Sequence, residues 1–334
     1  MDRALYGPGG FFVSGPGPAA HFRTSVHASP VFSSGLLRLL GSVDRALGHP
    51  AQLDVVDVGA GRGELLRSLL VGVSEEPATA PLADRVRLVA VERAPRPEDL
   101  PAEIHWTSDL PDGITGLLVA TEWLDNVPLD LAVHAEDGWR YLMVDPATGE
   151  ESTGDPVSPE DAAWLTHWWP TPTPTPDGGR VEVGRTRDDA WAGAVRKIDR
   201  GVALAVDYGH LRGGRPVDGT LTGYRGGRQV APVPDGSCDV TAHVAMDSVA
   251  SAGEPIARCA YTLVSQREGL QALGADGGRP PLSLASRDPA GYVRALAAAS
   301  AVAELTDPAG LGGHWWLLQP VGVALDPLMA RWRT

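Results

Sequence analysis

Apolar residues along the chain fall into short continuous runs and helically spaced stretches. The runs at 55–58 and 86–91 are rich in valine, which is typical of strands buried on both faces of a sheet. Between them the leucines of 65–70 recur at helical spacing, soon after glycines that allow a sharp turn. This order predicts a strand–helix–strand unit with a glycine turn after its first strand.

The same pattern predicts most of the remaining elements. They are a helix over 30–47 with Ser29 as its N-cap, strands near 104–106, 117–120, 202–206 and 315–318, a hairpin over 130–144, and helices near 191–198 and 266–273. Two late strands, of which the one at 315–318 is the last, would bring the sheet to seven. We therefore predict an α/β fold, with a Rossmann-like, seven-stranded, mostly parallel sheet and helices on both faces.

Three segments are expected to add to this core. We predict an N-terminal cap on the substrate side over 1–50, and a core over 51–334 with insertions at about 130–185 and 210–258. The alternating prolines of 170–176 disfavour helix and predict an extended surface connector. Trp164, Trp168 and Trp169 fit one helical face near the first insertion, which favours packing over a cation–π cage.

The glycine turn, Gly59-Ala60-Gly61-Arg62-Gly63-Glu64, indicates a nucleoside ligand. A dinucleotide site needs a third glycine where Glu64 stands, because that glycine allows close helix packing beside a pyrophosphate. The pattern Gly-x-Gly-x-Gly instead matches class I S-adenosylmethionine methyltransferases, whose cationic sulfonium ligand tolerates a nearby carboxylate. Glu92, at the tip of the second strand, can accept hydrogen bonds from both hydroxyls of a ribose.

These features predict S-adenosylmethionine as the cofactor. The residues expected to bind it are Asp57, Gly59, Ala60, Gly61, Gly63, Glu92, Asp109 and Glu122. Asp57 could contact the amino group of the methionine part or fix the loop through backbone hydrogen bonds, and both alternatives stay open. Asp109 follows the short third strand, where adenine-contacting acids often lie in such folds.

Polar side chains follow two further strands of the predicted sheet. Glu122 and Asp125, with Asn126, come after the strand at 117–120, and they should face the same crevice as Glu92 because ligands bind at the carboxyl ends of parallel strands. Asp207 and His210 follow the strand at 202–206 and are second candidates, although Asp207 could simply cap a turn. Asp239 and His243 are third; a histidine on an apolar background is more often structural.

Composition narrows the function classes. Lysine and arginine number 28 against 42 aspartate and glutamate, and the net charge of −14 disfavours sequence-independent binding to nucleic acid or anionic membranes. Arg212, Arg215, Arg225 and Arg228 gather in a glycine-rich stretch, which we interpret as a solvated loop. The two cysteines are expected to be reduced thiols, and no metal site is predicted. With no membrane span or leader found, we expect a cytoplasmic protein.

The landmarks, taken in order, resemble the MidA-like class I methyltransferases over nearly the whole chain. They are Ala4-Leu5-Tyr6, Gly10-Phe11-Phe12, Thr24-Ser25, Pro30-Val31-Phe32, the glycine turn, Glu122-Trp123-Leu124-Asp125-Asn126-Val127-Pro128, Gly138-Trp139-Arg140, Asp207-Tyr208-Gly209-His210, Gly219-Thr220-Leu221 with Tyr224, and Asp239-Val240-Thr241-Ala242-His243-Val244. Two departures stand out: Ala20-His21 replaces the family's usual Gly-Asp, and Leu124 replaces a second aromatic residue.

The resemblance implies a protein arginine N-methyltransferase, since the family includes a mitochondrial enzyme of that kind. Methyl transfer is an in-line displacement, so the acceptor must be aligned and held close. Carboxylates suit a guanidinium acceptor because they match its planar fork. Glu122 and Asp125 are therefore the first catalytic candidates, followed by Asp207 and His210. The alternatives are a small-molecule methyltransferase, a non-catalytic cofactor-binding assembly factor and, least favoured, a dinucleotide oxidoreductase.

Overall fold

The computed structural model describes residues 1–14, 24–75, 82–146, 148–170, 178–275 and 277–324. Ala20 and His21, which depart from the family pattern, lie outside these ranges. So does the predicted connector, apart from Pro170.

Strands occur along the whole described chain. They are β1 (Leu53–Val58), β2 (Val86–Val91), β3 (Ile104–Thr107), β4 (Ile114–Thr121), β5 (Asp130–Ala135), β6 (Gly138–Val144), β7 (Glu151–Pro156), β8 (Arg180–Val183), β9 (Ile198–Asp207), β10 (Gly209–His210), β11 (Thr222–Arg225), β12 (Arg228–Val230), β13 (Asp239–Thr241), β14 (Val244–Ala245), β15 (Thr262–Ser265) and β16 (Trp315–Val321).

Helices alternate with these strands. They are α1 (Asp2–Tyr6), α2 (Phe11–Ser14), α3 (Ser25–Ala28), α4 (Pro30–Ala46), α5 (Glu64–Glu75), α6 (Pro159–Trp168), α7 (Arg185–Arg196), α8 (Met246–Ala257), α9 (Gln266–Ala272), α10 (Leu282–Arg287) and α11 (Pro289–Leu305). The predicted N-cap of α4 is confirmed, because the Ser29 hydroxyl accepts a hydrogen bond from the Val31 N–H at 3.1 Å.

The central sheet has seven strands in the order β15-β16-β9-β4-β1-β2-β3. Strands β3, β2, β1, β4 and β9 pair in parallel, and β16 pairs antiparallel with both of its neighbours. The prediction of a seven-stranded, mostly parallel sheet is therefore confirmed. All five parallel strands end at the same edge, which brings their following loops together.

Side chains alternate between the two faces of each central strand. Val55 packs with Leu36 of α4 and Leu66 of α5, whereas its neighbour Val56 packs on the opposite face with Trp191 of α7. The valine-rich strands are thus buried on both sides, as the continuous apolar runs predict. Helices α4 and α5 cover one face, and α7 and α8 cover the other.

Strands β5, β6, β7 and β8 build a separate antiparallel sheet in the order β7-β6-β5-β8, with α6 beside it. The β5–β6 pair confirms the predicted hairpin. Trp164 and Trp169 are buried and the half-buried Trp168 packs against the same cluster, in agreement with the packing interpretation. Trp169 also carries the Arg215 guanidinium over its ring, 5.8 Å from the ring centroid, a contact that the interpretation did not include. The Trp164 Nε1–H donates to Asp188 Oδ2 at 2.7 Å and to Ser248 Oγ at 3.1 Å, and these bonds tie α6 to α7 and α8.

Residues 209–245 form two small sheets at the edge where the parallel strands end, β10-β14 and β12-β11-β13. The solvated-loop interpretation of this stretch is wrong for Arg215, whose side chain is 2% exposed and bonds Asp247 Oδ1 at 2.5 Å. Arg212, Arg225 and Arg228 are exposed, as predicted. Helix α8 follows this segment and packs on the central sheet.

The first fifty residues serve two purposes. Helix α4 packs on the sheet, whereas α1, α2 and α3 contribute residues to the large cavity at the strand ends. In the ranges that the structure describes, no helix is both long and apolar enough to cross a lipid bilayer.

The close pairing of β1, β4 and β9 generates a stability prediction. Gly116 in β4 has φ +151°, and a Cβ there would lie 2.1 Å from the Asp54 carbonyl oxygen. We expect Gly116→Ala to lower the free energy of unfolding by at least about 2 kcal/mol, because both the backbone conformation and the contact oppose a side chain. Urea unfolding followed by circular dichroism measures this change.

Gly193 in α7 supplies the matched control. A Cβ at Gly193 would meet no atom within 4 Å. Gly193→Ala should therefore raise the free energy of unfolding by up to about 1 kcal/mol, the usual gain in a helix interior. Equal effects of the two substitutions would contradict this account of the strand pairing.

Candidate functional site

The glycine turn between β1 and α5 adopts a conformation that requires glycine. Gly59, Gly61 and Gly63 have φ of +73°, +59° and +82°, a region that side chains rarely enter. The N–H groups of Gly59 and Ala60 both donate to the Val91 carbonyl, at 3.0 and 3.3 Å. The turn is thereby tied to the end of β2.

Glu92 lies directly after β2 and bonds the same turn. Its Oε2 accepts from the Gly61 N–H at 3.0 Å, and its Oε1 accepts from the Arg93 and Ala94 N–H groups at 2.7 and 3.1 Å. A carboxylate offers about four acceptor positions, so one remains for a ligand hydroxyl, whereas the sequence predicts bonds from both hydroxyls of a ribose. A ligand that bonds Glu92 would therefore contact the same side chain that fixes the conformation of the glycine turn.

Asp57 is buried at the end of β1, and its Oδ1 has no hydrogen-bond partner among the described residues. Burial raises its pKa well above the usual carboxyl range, and the charges of Glu64 and Glu92 add to this effect. No hydrogen bond joins its side chain to the described backbone of the loop. An amino group of a ligand could satisfy this carboxylate.

The polypeptide turns sharply after β4. Glu122 has φ +49°, which is unusual for a residue with a side chain and costs about 1 kcal/mol or more. A 3-10 turn, Leu124–Asn126, follows. The Asp207 carboxylate at the end of β9 accepts from the N–H groups of Leu124 and Asp125 at 3.0 and 3.2 Å. Asp207 thus caps this turn and holds the segment that carries Glu122 and Asp125.

Asp125 is the middle residue of this turn, and it is buried. Its Oδ2 accepts from the Tyr208 hydroxyl and from Thr241 Oγ1, the latter at 2.7 Å. Its Oδ1 is also buried and has no hydrogen-bond partner within the described ranges. Burial raises the pKa of Asp125, opposed by the bonds from Tyr208 and Thr241.

Arg187 of α7 holds the backbone around Asp125. Its guanidinium is buried and donates to the carbonyls of Asp125 at 2.5 Å, Val127 at 3.1 Å, and Ala242 and His243 at 2.9 Å each. Sequence reasoning missed this residue, because a charged residue in the polar stretch of 185–189 is typical of a solvated helix face. No sequence signal distinguishes it.

Two other carboxyl groups, those of Asp239 and Glu122, complete the acidic end of the site. Asp239 of β13 accepts from Asn126 Nδ2 at 3.1 Å, and the Ser25 N–H donates to Glu122 Oε1 at 3.3 Å. Burial and the neighbouring Asp125 charge raise the pKa values of Glu122 and Asp239 to about 8. Two carboxyl groups that would ionise only above neutral pH therefore flank Asp125.

A cavity of about 1110 Å³ joins the glycine turn to this acidic end. Ligand pockets commonly measure about 300–1,000 Å³, so this one has room for a cofactor and part of a second molecule. Its lining carries seven carboxylates, from Asp57, Glu64, Glu92, Asp109, Glu122, Asp125 and Asp239. Only two guanidinium groups, Arg62 and Arg93, line it among the described residues. The cavity favours a cationic occupant.

Most predicted site residues line this cavity, and three do not. Gly63, Asp207 and His210 lie outside the lining. His210 is buried with its Nδ1 2.8 Å from Arg215 Nη1 and its ring on Trp169, at 5.2 Å between centroids. Burial, with the charge of Arg215, lowers the pKa of His210 to about 3, so its imidazole stays neutral.

Other lining residues were not assigned from the sequence. Tyr6, Tyr208 and His314 face the acidic end of the cavity together with the third-ranked candidate His243. Tyr6 and Tyr208 belong to motifs that carry the family resemblance. The sequence therefore identified their motifs, but it did not indicate that their side chains line the cavity. His314 precedes β16 without any distinguishing pattern around it.

Comparisons with known proteins agree with this architecture. A family model described as "Putative S-adenosyl-L-methionine-dependent methyltransferase" matches residues 38–263. The chain is 27% identical over 336 residues to the mitochondrial protein arginine methyltransferase NDUFAF7 of zebrafish (Danio rerio), which covers 86% of this chain and 75% of that protein.

Two crystal structures from Burkholderia thailandensis share the fold. One is bound to S-adenosyl-homocysteine; it is 25% identical with a TM-score of 0.80 and covers 99% of this chain and 89% of the other. The second, of an uncharacterised protein, is 26% identical with a TM-score of 0.73 and covers 97% and 86%. These matches confirm the predicted class I fold and the predicted cofactor.

The loop end of the cavity fits S-adenosylmethionine. The unpartnered Asp57 oxygen suits an amino group, the remaining acceptor of Glu92 suits a ribose hydroxyl, and the glycines leave space beside the backbone. The fold, this fit and a family match over most of the chain agree with one another. The chain therefore belongs to the MidA-like family of S-adenosyl-L-methionine-dependent methyltransferases.

Proposed function

We propose that this methyltransferase transfers its methyl group to an arginine side chain of a protein substrate. The zebrafish relative, a protein arginine methyltransferase, supports this proposal. The observation that carries it is the buried carboxylate cluster at the far end of the cavity from the glycine turn. Asp125 and Asp239 are 3% and 5% exposed there, and Asp125 keeps one oxygen without a partner in the described structure.

A guanidinium suits this cluster better than a neutral acceptor. Buried carboxyl groups with raised pKa values gain most from a ligand that brings positive charge, because the charge favours their ionised forms. Arginine also offers five N–H donors in a planar fork, which matches carboxylate geometry. A carboxylate or phosphate acceptor would instead be repelled by this cavity.

The proposed roles divide along the cavity. Asp57 contacts the cofactor's amino group, Glu92 its ribose and Asp109 its adenine, with the turn Gly59–Gly63 beneath it. Asp109 lines the cavity after β3 and is exposed there. Glu122 lies between the two ends, close to both the cofactor and the acceptor. Asp207 acts as a positioning residue, because it holds the turn that carries Asp125.

Catalysis then depends mainly on alignment. S-adenosylmethionine supplies a methyl group on a positively charged sulfur. Asp125, Asp239 and Glu122 grip the N–H groups of the acceptor and turn one nitrogen toward that methyl, which replaces a bimolecular encounter by a fixed geometry.

The first prediction about function concerns cofactor binding. Glu92→Gln should weaken S-adenosylmethionine binding by about 10- to 100-fold, the usual worth of a hydrogen bond to a charged group. Isothermal titration calorimetry measures the dissociation constant. Glu98→Gln, an exposed position on the same connection, serves as the control and should bind normally. Unchanged affinity in Glu92→Gln would contradict the ribose assignment.

The second prediction tests the acceptor. The wild-type protein should transfer labelled methyl groups to arginine-containing peptides and leave the matched lysine- or glutamine-containing peptides unlabelled. Asp125→Asn and Asp239→Asn should each lower kcat/KM by about 100-fold, because each removes a buried charge facing the guanidinium. Asp155→Asn, at an exposed position on β7, is the control.

Mass spectrometry of the labelled peptides locates the methyl group. A methyl group on an arginine nitrogen supports the proposal. Transfer to small metabolites but to no peptide would favour a small-molecule methyltransferase. Cofactor binding without turnover on any acceptor would favour an assembly factor, and either result would overturn the proposal.

The third prediction follows from the raised pKa values. In the empty site Glu122 and Asp239 keep their protons up to about pH 8, and a guanidinium binds their ionised forms. Arginine-peptide binding must therefore displace protons below pH 8, so its dissociation constant should fall as the pH rises from 6.5 to 9. Fluorescence anisotropy with saturating S-adenosylhomocysteine, which lacks the sulfonium charge, measures this slope.

The Asp239→Asn variant is the control for the pH dependence. It removes one of the two groups with a pKa of about 8, so it should reduce the slope. A dissociation constant independent of pH in the wild-type protein would show that neither group meets the acceptor's charge.

A further inference from the structure

His243 lies in the two-residue connection between β13 and β14, and its backbone is fixed on both sides. Its N–H donates to Thr220 Oγ1 at 2.8 Å, and its carbonyl accepts from the Arg187 guanidinium at 2.9 Å. Its imidazole, by contrast, is exposed and lines the cavity. No hydrogen bond to this ring occurs among the residues that the structure describes.

The side chain of Tyr208 connects the His243 ring to the carboxylate cluster. It lies 5.2 Å from the Tyr208 ring, centroid to centroid, and the Tyr208 hydroxyl bonds Asp125. On its other side the His210 ring is 6.4 Å away. His243 therefore lines the same cavity as Asp125, next to the tyrosine that bonds Asp125.

The charged groups around His243 come from several elements. Glu182 of β8 and Asp125 of the 3-10 turn raise its pKa, whereas Arg187 of α7 lowers it. Although His243 is exposed, the groups packed around it remove part of its hydration; this partial desolvation is the largest effect and lowers its pKa below the usual histidine value. The neighbouring histidines, His210 and His314, also have lowered pKa values, so they add no positive charge at neutral pH. His243 is accordingly neutral and able to accept a proton.

Methylation of a guanidinium releases one proton, and the cavity must take it up. The Asp125 Oδ2 already accepts two hydrogen bonds. In the proposed complex its remaining oxygen, Asp239 and Glu122 hold the acceptor cation. His210 lies outside the cavity lining, and the Nδ1 of His314 is buried without a partner in the described structure. His243 is the exposed imidazole in the lining at this end.

We propose that His243 is the catalytic residue that accepts the proton released by the arginine acceptor, an inference that rests on the function proposed above. The acceptor nitrogen forms a bond to the methyl carbon as the carbon–sulfur bond breaks, and the electron pair of that bond stays on sulfur. The nitrogen's proton passes to His243, which then releases it to solvent. The methylated guanidinium keeps its single positive charge, so atoms and charges balance.

The test compares histidine variants of the full chain on an arginine peptide that the wild-type protein methylates. His243→Gln should lower kcat by about 100-fold or more, the usual contribution of a general base, with the cofactor dissociation constant and the peptide KM nearly unchanged. The wild-type kcat should also fall at acidic pH, where His243 is protonated. His243→Gln should lack this acid limb, and added imidazole should partly restore kcat in His243→Ala.

Two further variants separate a chemical role from a structural one. His105→Gln, at an exposed position on β3, should behave as the wild-type protein. His314→Gln changes the other histidine that lines the acidic end of the cavity, and it should keep the acid limb. The inference is overturned if His243→Gln keeps a kcat within about threefold of the wild-type value, or if the acid limb disappears only in His314→Gln.

The same assay distinguishes failure of this inference from failure of the proposed function. A wild-type protein that binds S-adenosylmethionine but methylates no arginine peptide overturns both. A wild-type protein that methylates arginine, with a His243→Gln variant of nearly equal kcat, overturns only the role of His243.

Discussion

The buried guanidinium of Arg187 is the interaction on which the acceptor end of the site depends. A buried charge is costly unless it is neutralised and hydrogen bonded. Arg187 meets this requirement with four backbone carbonyls from two loops and with the nearby charges of Asp125, Glu182 and Asp207. Satisfying one side chain therefore draws α7, the turn after β4 and the connection after β13 into a single arrangement.

In that arrangement the carboxyl groups outnumber the cationic groups. Arg187 is one cation, whereas Glu122, Asp125, Asp207 and Asp239 are four carboxyl groups with raised pKa values in the same region. Glu122 and Asp239, whose pKa values are about 8, keep their protons at neutral pH when the cavity is empty, which makes the acceptor end responsive to a cationic ligand. The cofactor end is built differently, from backbone N–H groups, a glycine turn and the carboxyl groups of Asp57, Glu92 and Asp109 near the ends of the first three strands. The two ends meet at Glu122, where the backbone is strained.

The parts of this site that could be predicted from sequence follow from strand ends. Asp57, Glu92, Glu122 and Asp125 each stand at the end of an apolar run, and parallel strands bring such positions to one edge. Asp207 and His210 also follow a strand, yet the intervening Tyr208 is the residue that reaches the cavity. The pattern places a residue at a strand tip, but it does not say which side of the following loop the residue faces.

Other features depended on contacts between distant segments. Arg187 and Arg215 both stand in charged or glycine-rich stretches, where exposure is the usual expectation. Both are buried and bond residues more than twenty positions away in the chain: Asp125 for Arg187, and Trp168 and Asp247 for Arg215. The bond between Asn126 and Asp239 likewise joins segments 113 residues apart. Local periodicity carries no information about such pairs, so the seven-stranded sheet was predictable and the shape of the acidic pocket was not.

The most direct measurement is a crystal structure of the protein with S-adenosylhomocysteine and an arginine peptide. We predict that the guanidinium lies within hydrogen-bond distance of the free oxygen of Asp125 and of Asp239, with one nitrogen facing the sulfur. A different functional group in front of the sulfur, with the arginine bound elsewhere or absent from the cavity, would contradict the account.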